Sequence, residues 1–181
     1  MREIEIKLRV KNLEDIEKRV KEKGYILSDP ISQHDVIYSL GGSKSEFQSA
    51  QEGDIIIRMR YQEDNAELNL KKQRSNEMDN LEYETEVKDP EAMRQILAIL
   101  GYQPAVEVKK IRRKGKLGEY EICLDEVEKL GSFVELEKLT YDDADPEAVR
   151  EELFKTLESL GLAREHEETK GYDTQIYLLS R

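Results

Sequence analysis

The stretch from Met1 to Val10 alternates strictly between charged and aliphatic residues. A period of two is the signature of a β-strand, because successive side chains point to opposite faces. The aliphatic face must be buried, since four branched side chains on one side are costly to leave in water. The opposite face carries Glu3, Glu5, Lys7 and Arg9. This stretch therefore predicts a strand with one apolar face and one charged face.

The same two-residue period returns in several later segments of the chain. It predicts β-strands over residues 35–38, 54–61, 67–73, 81–87, 106–114, 119–125 and 133–139. Turns of hairpin length join most of these segments, which favours antiparallel pairing. The polar stretch from Gly41 to Gly53 has two adjacent glycines and no periodicity, and we interpret it as a mobile loop.

Three amphipathic helices are predicted between the strands. Each begins at an Asn or Asp cap and ends at a glycine, which are common helix boundaries. The three helices run from Asn12 to Gly24, from Asp89 to Gly101 and from Asp145 to Gly161. Their apolar stripes can cover part of the aliphatic surface of the strands.

Charged residues occupy the second face of almost every predicted strand. The acids on these faces are Glu3, Glu5, Glu82, Glu84, Glu86, Asp125, Glu135 and Glu137. The bases are Lys7, Arg9, Arg58, Arg60, Lys71, Lys110 and Arg112. One such face alone is usually solvated, but its repetition in at least six strands favours a sheet that closes around its polar faces. About eight strands would enclose a space for one small ligand.

We therefore predict an α+β fold, an eight-stranded antiparallel β-barrel with helices packed on the outside, in a single domain over residues 1–181. Several Arg and Lys side chains inside such a barrel would neutralise a polyphosphate. Clustered carboxylates would hold Mg²⁺ or Mn²⁺, which prefer oxygen ligands and bridge to phosphates. Without a ligand, these acids and bases would pair with each other.

Composition argues against several other classes of protein. The formal net charge is −11, which disfavours binding to nucleic acid or to an anionic membrane. The basic run from Lys109 to Lys116 has no interleaved aromatic residues, so we predict no nucleic-acid site there. No apolar segment is long enough to span a membrane, and no signal peptide opens the chain. Cys123 is the single cysteine, which we expect to be a small packing residue, and a cytoplasmic location is expected.

Several charged motifs follow one another in a fixed order along the chain. They are Glu3-x-Glu5-x-Lys7, Arg58-x-Arg60, Leu68-Asn69-Leu70-Lys71, Glu82-x-Glu84-x-Glu86, Lys110-x-Arg112, Asp125 and Gly131-x-Phe133-x-Glu135-x-Glu137. This ordered set resembles the CYTH superfamily, whose members are also called triphosphate tunnel metalloenzymes. The resemblance covers essentially the whole chain, and within the superfamily the chain is most similar to class IV adenylyl cyclases.

The resemblance implies a tunnel that binds a triphosphate together with a divalent cation, Mg²⁺ or Mn²⁺. By this analogy the phosphate ligands are Arg58, Arg60, Lys71, Lys110 and Arg112. The metal ligands are Glu3, Glu5, Asp125, Glu135 and Glu137. Glu84 and Glu86 form an adjoining acidic wall, and the candidate catalytic residues are Lys7, Lys71 and Lys110.

Two positions depart from the pattern of the family. Ile37 follows Asp35-Val36, where many relatives have an aromatic residue, and Gly171-Tyr172 stands where the family has Ser-Tyr. We therefore assign no role to Asp35 or Tyr172 from the resemblance.

Two reactions are compatible with the implied tunnel. An adenylyl cyclase would convert ATP to cyclic AMP and pyrophosphate by attack of the ribose 3′-oxygen on the α-phosphorus, and the subgroup resemblance favours this reaction. A triphosphatase would direct water onto the terminal phosphorus of inorganic triphosphate or of a small organic triphosphate such as thiamine triphosphate. A third alternative is a non-catalytic module that binds polyphosphate or nucleotide. The family also implies a homodimer.

Overall fold

A computed structural model describes residues 2–42 and 51–180. Within these residues the strands are β1 (Arg2–Val10), β2 (Ile31–Leu40), β3 (Ile55–Gln62), β4 (Asn65–Gln73), β5 (Asp79–Glu86), β6 (Tyr102–Leu117), β7 (Tyr120–Val127) and β8 (Gly131–Thr140). They form a closed antiparallel barrel in the order β1-β5-β4-β3-β2-β6-β7-β8. The predicted fold class is therefore confirmed. Residues 43–50, in the loop predicted over Gly41 to Gly53, lie outside the described residues.

Strand β1 closes the barrel by pairing with β8 on one side and β5 on the other. Its pairing with β8 extends over its whole length, from Arg2 opposite Thr140 to Val10 opposite Ser132. Its pairing with β5 covers three residues only, at the start of β5. The rest of β5 therefore continues past the beginning of β1, which decides how far its side chains reach into the interior.

The three predicted helices are present on the outside of the barrel. They are α1 (Leu13–Glu22), α2 (Pro90–Ile99) and α3 (Pro146–Ser159). The side chains of Asn12, Asp89 and Asp145 accept hydrogen bonds from backbone N–H groups of the first turns, as expected for cap residues. No helix within residues 2–42 and 51–180 is both long enough and apolar enough to cross a membrane.

A fourth helix, α4 (Tyr172–Leu179), was not expected from the sequence. Gly171 precedes it and offers no capping side chain. The cap comes instead from the β4–β5 connection, where Glu77 accepts hydrogen bonds from the Gly171 N–H at 2.7 Å and from Thr174 Oγ1 at 3.0 Å. A helix whose cap lies about a hundred residues away leaves no local signal in the sequence.

The aliphatic face of β1 points outward and is buried under α1 and α3. This core cluster includes Ile4, Ile6, Leu8, Ile16, Val20, Leu153 and Leu157. Since the apolar side of the sheet is covered from outside, the alternation of the strands turns the charged side chains inward.

One end of the barrel interior is filled by apolar side chains, and we call it the deep end. Its buried cluster consists of Ile37, Val106, Val108, Val127, Phe133, Tyr172 and Tyr177. The first five of these point inward from β2, β6, β7 and β8, and the two tyrosines come from α4. Helix α4 therefore acts as a plug that closes the deep end.

Candidate functional site

The barrel encloses a cavity of about 510 Å³, which we call the tunnel. Its mouth is lined by the exposed residues Glu84, Lys116, Gly118 and Glu119. Among the described residues, eleven acids and eight bases line the tunnel. A carboxylate in this tunnel would repel a phosphate placed beside it unless a cation lay between the two groups.

Strand β3 directs two arginines into the tunnel, and Asp35 on β2 holds both of them. Arg60 binds the Asp35 carboxylate through two hydrogen bonds of 2.8 and 2.9 Å, and Arg58 Nη1 lies 3.7 Å from the same group. Burial alone would raise the pKa of Asp35, but Arg58 and Arg60 outweigh it and keep that pKa well below its usual range. Asp35 therefore remains charged and positions both arginines.

Strand β6 contributes Arg112, which bridges two buried carboxylates. Arg112 donates hydrogen bonds to Asp125, with Nε 2.7 Å from Oδ1, and to Glu135. Asp125 also accepts a hydrogen bond from the hydroxyl of Tyr172 at 3.0 Å, and it does not line the tunnel. The sequence predicts a metal-ligand role for Asp125, whereas the structure places this carboxylate behind Arg112, with its oxygens occupied.

Two of the candidate catalytic lysines lie near the deep end. Lys7 Nζ is 3.5 Å from Glu135 and 4.3 Å from the ring centre of Tyr172. Burial would raise the pKa of Glu135, but Arg112 and Lys7 hold it well below its usual range. Burial, together with the nearby Arg112 charge, lowers the pKa of Lys110 to about 8. Glu135, a predicted metal ligand, is thus engaged by cations from two sides.

The third lysine, Lys71, is held by acids from β1 and β5. Its Nζ lies 2.9 Å from Glu3 and 3.0 Å from Glu82. Of the three β5 acids predicted on the interior face, the structure therefore places Glu82 deepest in the tunnel. Glu84 reaches only the mouth, and Glu86 is exposed and does not line the tunnel. The reason is the short pairing with β1, which leaves the later residues of β5 beyond the N-terminal end of β1.

Glu3, Glu5 and Glu137 form a compact group that we call the acid group. One carboxylate oxygen of each lies within 4.8 Å of those of the other two. Burial and neighbouring carboxylates raise the pKa of all three, that of Glu3 to about 7. Three oxygen donors that carry excess negative charge at this spacing fit a divalent cation such as Mg²⁺ or Mn²⁺.

A second group of possible ligands shares Glu137 with the acid group. Ligand atoms of Glu121, Cys123 and Glu137 also lie within 4.8 Å of one another. Burial raises the pKa of the Cys123 thiol well above its usual value, so the sulfur stays protonated. A protonated thiol is a poor ligand for a hard cation, and the packing role expected for Cys123 stays the simpler interpretation.

Several residues without a predicted site role also line the tunnel. They are Asp35, Asn69, Glu77, Glu82 and Tyr172. Asp35 lies opposite Arg60 on the neighbouring strand, and Asn69 lies on the same face of β4 as Lys71. Alternation along each strand, combined with the strand order, predicts both positions. Tyr172 arrives on α4, which has no local sequence signal.

This architecture defines a class of protein, a closed antiparallel barrel whose interior is a tunnel of buried acids and bases. The chain belongs to the CYTH domain family, whose model matches residues 1–172. It shares 30% identity over 174 residues with a candidate adenylate cyclase of Methanocaldococcus jannaschii, covering 95% of this chain and 97% of the relative.

Two solved structures illustrate the same fold. A Pyrococcus horikoshii OT3 protein has a TM-score of 0.80 at 28% identity, covering 96% of this chain and 98% of its own. A Hippeastrum protein, described as a candidate adenylyl cyclase with a dominant triphosphatase activity, has a TM-score of 0.61 at 18% identity. That alignment covers 99% of this chain and 96% of the Hippeastrum chain, and at this identity it shows the fold alone.

The raised pKa values of the acid group predict how stability depends on pH. A carboxyl group whose pKa is raised by folding binds more protons in the folded state, so stability falls as pH rises through the window between its unfolded and folded values. For Glu3 this window runs from 4.5 to about 7. In the absence of metal we expect the free energy of unfolding to decrease between about pH 5 and pH 7.5, and Mg²⁺ to restore it at the higher pH.

Thermal unfolding in EDTA and in Mg²⁺ at both pH values measures this effect. Folding lowers the pKa values of Asp35, Glu82 and Glu135, so these groups change the pH dependence of stability only at lower pH, outside this window. A metal-free protein that becomes more stable over the same pH interval would show that the acid group carries no excess charge.

Proposed function

We propose that this protein is a metal-dependent enzyme that acts on a nucleoside triphosphate in the tunnel, as an adenylyl cyclase that converts ATP to cyclic AMP and pyrophosphate. The observation that carries the proposal is the meeting of buried arginines and lysines with the acid group in one closed tunnel. Guanidinium and ammonium groups bind phosphate oxygens, and carboxylates bind the cation that phosphates require. The name of the Methanocaldococcus jannaschii relative favours the cyclase among the reactions of such a site.

The shape of the tunnel favours attack on the phosphorus nearest the mouth. Because α4 and Phe133 fill the deep end, a nucleoside fits best at the mouth, with its β- and γ-phosphates pointing inward. In-line displacement places the nucleophile opposite the leaving group. In a cyclase the 3′-oxygen approaches from the mouth side and pyrophosphate leaves toward the deep end. Hydrolysis of the γ-phosphate would instead need a water molecule at the end that is filled.

The residues of the tunnel take separate roles in this proposal. The phosphate-binding residues are Arg58, Arg60, Lys71, Lys110 and Arg112. Glu3, Glu5 and Glu137 would hold Mg²⁺ or Mn²⁺, which when bound supplies Lewis acidity and charge neutralisation at the phosphates. Lys7 neutralises the departing pyrophosphate at the deep end. Glu135 and Asp125 position Arg112, so they act on the reaction through that residue.

A triphosphatase is the second candidate, with inorganic triphosphate as its substrate. A molecule without a nucleoside can present its terminal phosphorus to the mouth, where water is available, and the leaving pyrophosphate again lies toward the deep end. The dominant triphosphatase activity described for the Hippeastrum protein indicates that this fold accommodates such a reaction.

Product analysis distinguishes the two reactions. We expect purified protein with ATP and Mg²⁺ or Mn²⁺ to form cyclic AMP and pyrophosphate in equal amounts, resolved by anion-exchange chromatography. A parallel incubation with inorganic triphosphate tests the second candidate. Release of orthophosphate from ATP, with ADP as the other product, would contradict both the cyclase and the inferred orientation of the substrate.

A further inference from the structure

A small part of the tunnel wall holds polar atoms that have no partner in the protein. In residues 2–42 and 51–180, four buried side-chain atoms lack a hydrogen-bond partner: Gln33 Oε1, Arg58 Nε, Asn69 Oδ1 and Glu82 Oε2. Gln33 does not line the tunnel, and Glu82 Oε2 lies 3.0 Å from Lys71 Nζ in an ion pair. Arg58 Nε and Asn69 Oδ1 remain as unsatisfied atoms on residues that line the tunnel. A buried polar atom without a partner is costly, which points to a ligand that supplies one.

These two residues lie side by side in the wall. Asn69 on β4 is the cross-strand partner of Arg58 on β3, and both side chains line the tunnel. Asn69 is only 2% exposed. The wall therefore presents one free hydrogen-bond donor next to one free acceptor.

The orientation of the Asn69 amide is fixed by its neighbour on β5. Its Nδ2 donates a hydrogen bond to Glu82 Oε1. If the amide were rotated by 180°, its oxygen would face the Glu82 carboxylate oxygen, which is unfavourable. The carbonyl oxygen of Asn69 is therefore the atom without a hydrogen-bond partner. A free carbonyl oxygen repels phosphate and attracts a hydroxyl or an amino group, whereas Arg58 Nε suits a phosphate oxygen.

Asn69 lies on the mouth side of the lysine that shares its strand. Lys71 is opposite Glu82, while Asn69 is opposite Glu84, which is exposed at the mouth. If the β- and γ-phosphates extend to the deep end, Asn69 lies beside the part of the substrate where the phosphates join the sugar. The neighbouring donor and acceptor match that junction, since one group there is a phosphate and the next is a hydroxyl.

We propose that Asn69 is a specificity-determining residue whose carbonyl oxygen accepts a hydrogen bond from the ribose 2′-hydroxyl, so that the substrate is a ribonucleoside triphosphate. The inference rests on the proposed function because it requires a nucleotide in the tunnel. The 2′-hydroxyl is the suitable donor because the 3′-oxygen must stay free to attack phosphorus. A deoxynucleotide or inorganic triphosphate leaves the carbonyl oxygen buried without a partner, which disfavours both.

Equilibrium binding of ATP and 2′-deoxy-ATP, each used as its α,β-methylene analogue so that pyrophosphate cannot leave, is measured by calorimetry in Mg²⁺ and tests this role without depending on turnover. We expect the wild-type protein to bind ATP about tenfold or more tightly than 2′-deoxy-ATP. In Asn69→Ala the preference should fall to within about twofold, through weaker binding of ATP. Gln73→Ala removes another amide of β4 that lines the tunnel, and it should keep the wild-type preference.

Each outcome has a separate meaning. Equal binding of both nucleotides by the wild-type protein, or an unchanged preference in Asn69→Ala, would overturn the role of Asn69. Failure of the wild-type protein to bind either nucleotide would overturn the proposed function itself. Where thermal unfolding shows that Asn69→Ala is destabilised, Asn69→Leu repeats the test with the volume of the side chain retained.

Discussion

Replacing Glu137 with glutamine is expected to lower turnover by on the order of a hundredfold or more while making the metal-free protein more stable. The lost carboxylate weakens the cation site, which contributes several kcal/mol to charge stabilisation in such reactions. The gain in stability follows from the burial and neighbouring acids that raise the pKa of Glu137 well above its usual value, because a neutral amide avoids that unfavourable charge. Steady-state rates and thermal unfolding in EDTA measure the two effects.

Glu86→Gln is the matched control for this prediction. Glu86 is exposed on β5 and does not line the tunnel, so its replacement should change neither turnover nor the unfolding temperature appreciably. A Glu137→Gln variant with wild-type turnover would remove the acid group from the site. A variant that lost stability as well as turnover would indicate a structural role for this carboxylate.

Replacing Arg112 with leucine is expected to produce the largest loss of stability among the tunnel residues. The guanidinium group is buried between Asp125 and Glu135, and its removal leaves two buried carboxylates without their main partner. Breaking a buried ion pair in this way costs about 3–5 kcal/mol, which corresponds to a fall of roughly 6–20 °C in the unfolding temperature of a protein of this size. Thermal and urea unfolding provide the measurement.

Arg113 offers a control on the same strand with the opposite orientation. Its side chain is partly exposed and pairs with Glu17 on α1, so Arg113→Leu should cost less than about 1 kcal/mol. Equal destabilisation by the two substitutions would mean that the ion pairs inside the tunnel contribute no more than those at the surface.

Alternation along the strands predicts which charged residues share the interior, and the structure confirms this for the principal motifs. Glu3, Glu5 and Lys7 line the tunnel because Ile4 and Ile6 between them are buried under the helices. This result needs only the period of the strand and the cost of exposing aliphatic side chains.

The partners of each charged side chain, and its depth within the tunnel, cannot be predicted from alternation alone. They depend on the register of strands that are distant in sequence, such as the three-residue pairing of β1 with β5 that brings Glu82 inward and leaves Glu86 outside. The same limit applies to Asp125, whose strand face is compatible with a metal ligand but whose oxygens are taken by Arg112 and Tyr172. Long-range packing, rather than local propensity, decides these positions.

The deep end shows a second limit of the sequence. Helix α4 is short, and its N-terminus is capped by Glu77 from the β4–β5 connection. Its place in the barrel depends on contacts with residues that are distant in sequence, such as the hydrogen bond from Tyr172 to Asp125. The inferred orientation of the substrate depends on this plug and could not be reached from the motifs.

The affinity for inorganic triphosphate with and without Mg²⁺ tests the central claim most directly. The carboxylates of the acid group repel phosphate unless a cation lies between them, so a triphosphate should bind more tightly when a divalent cation occupies the acid group. Calorimetric titration is expected to show binding at least tenfold tighter in Mg²⁺ than in EDTA, with the difference lost in Glu137→Gln. Equal affinity in the two conditions would contradict the account and favour a non-catalytic polyphosphate-binding module in which the carboxylates have no part.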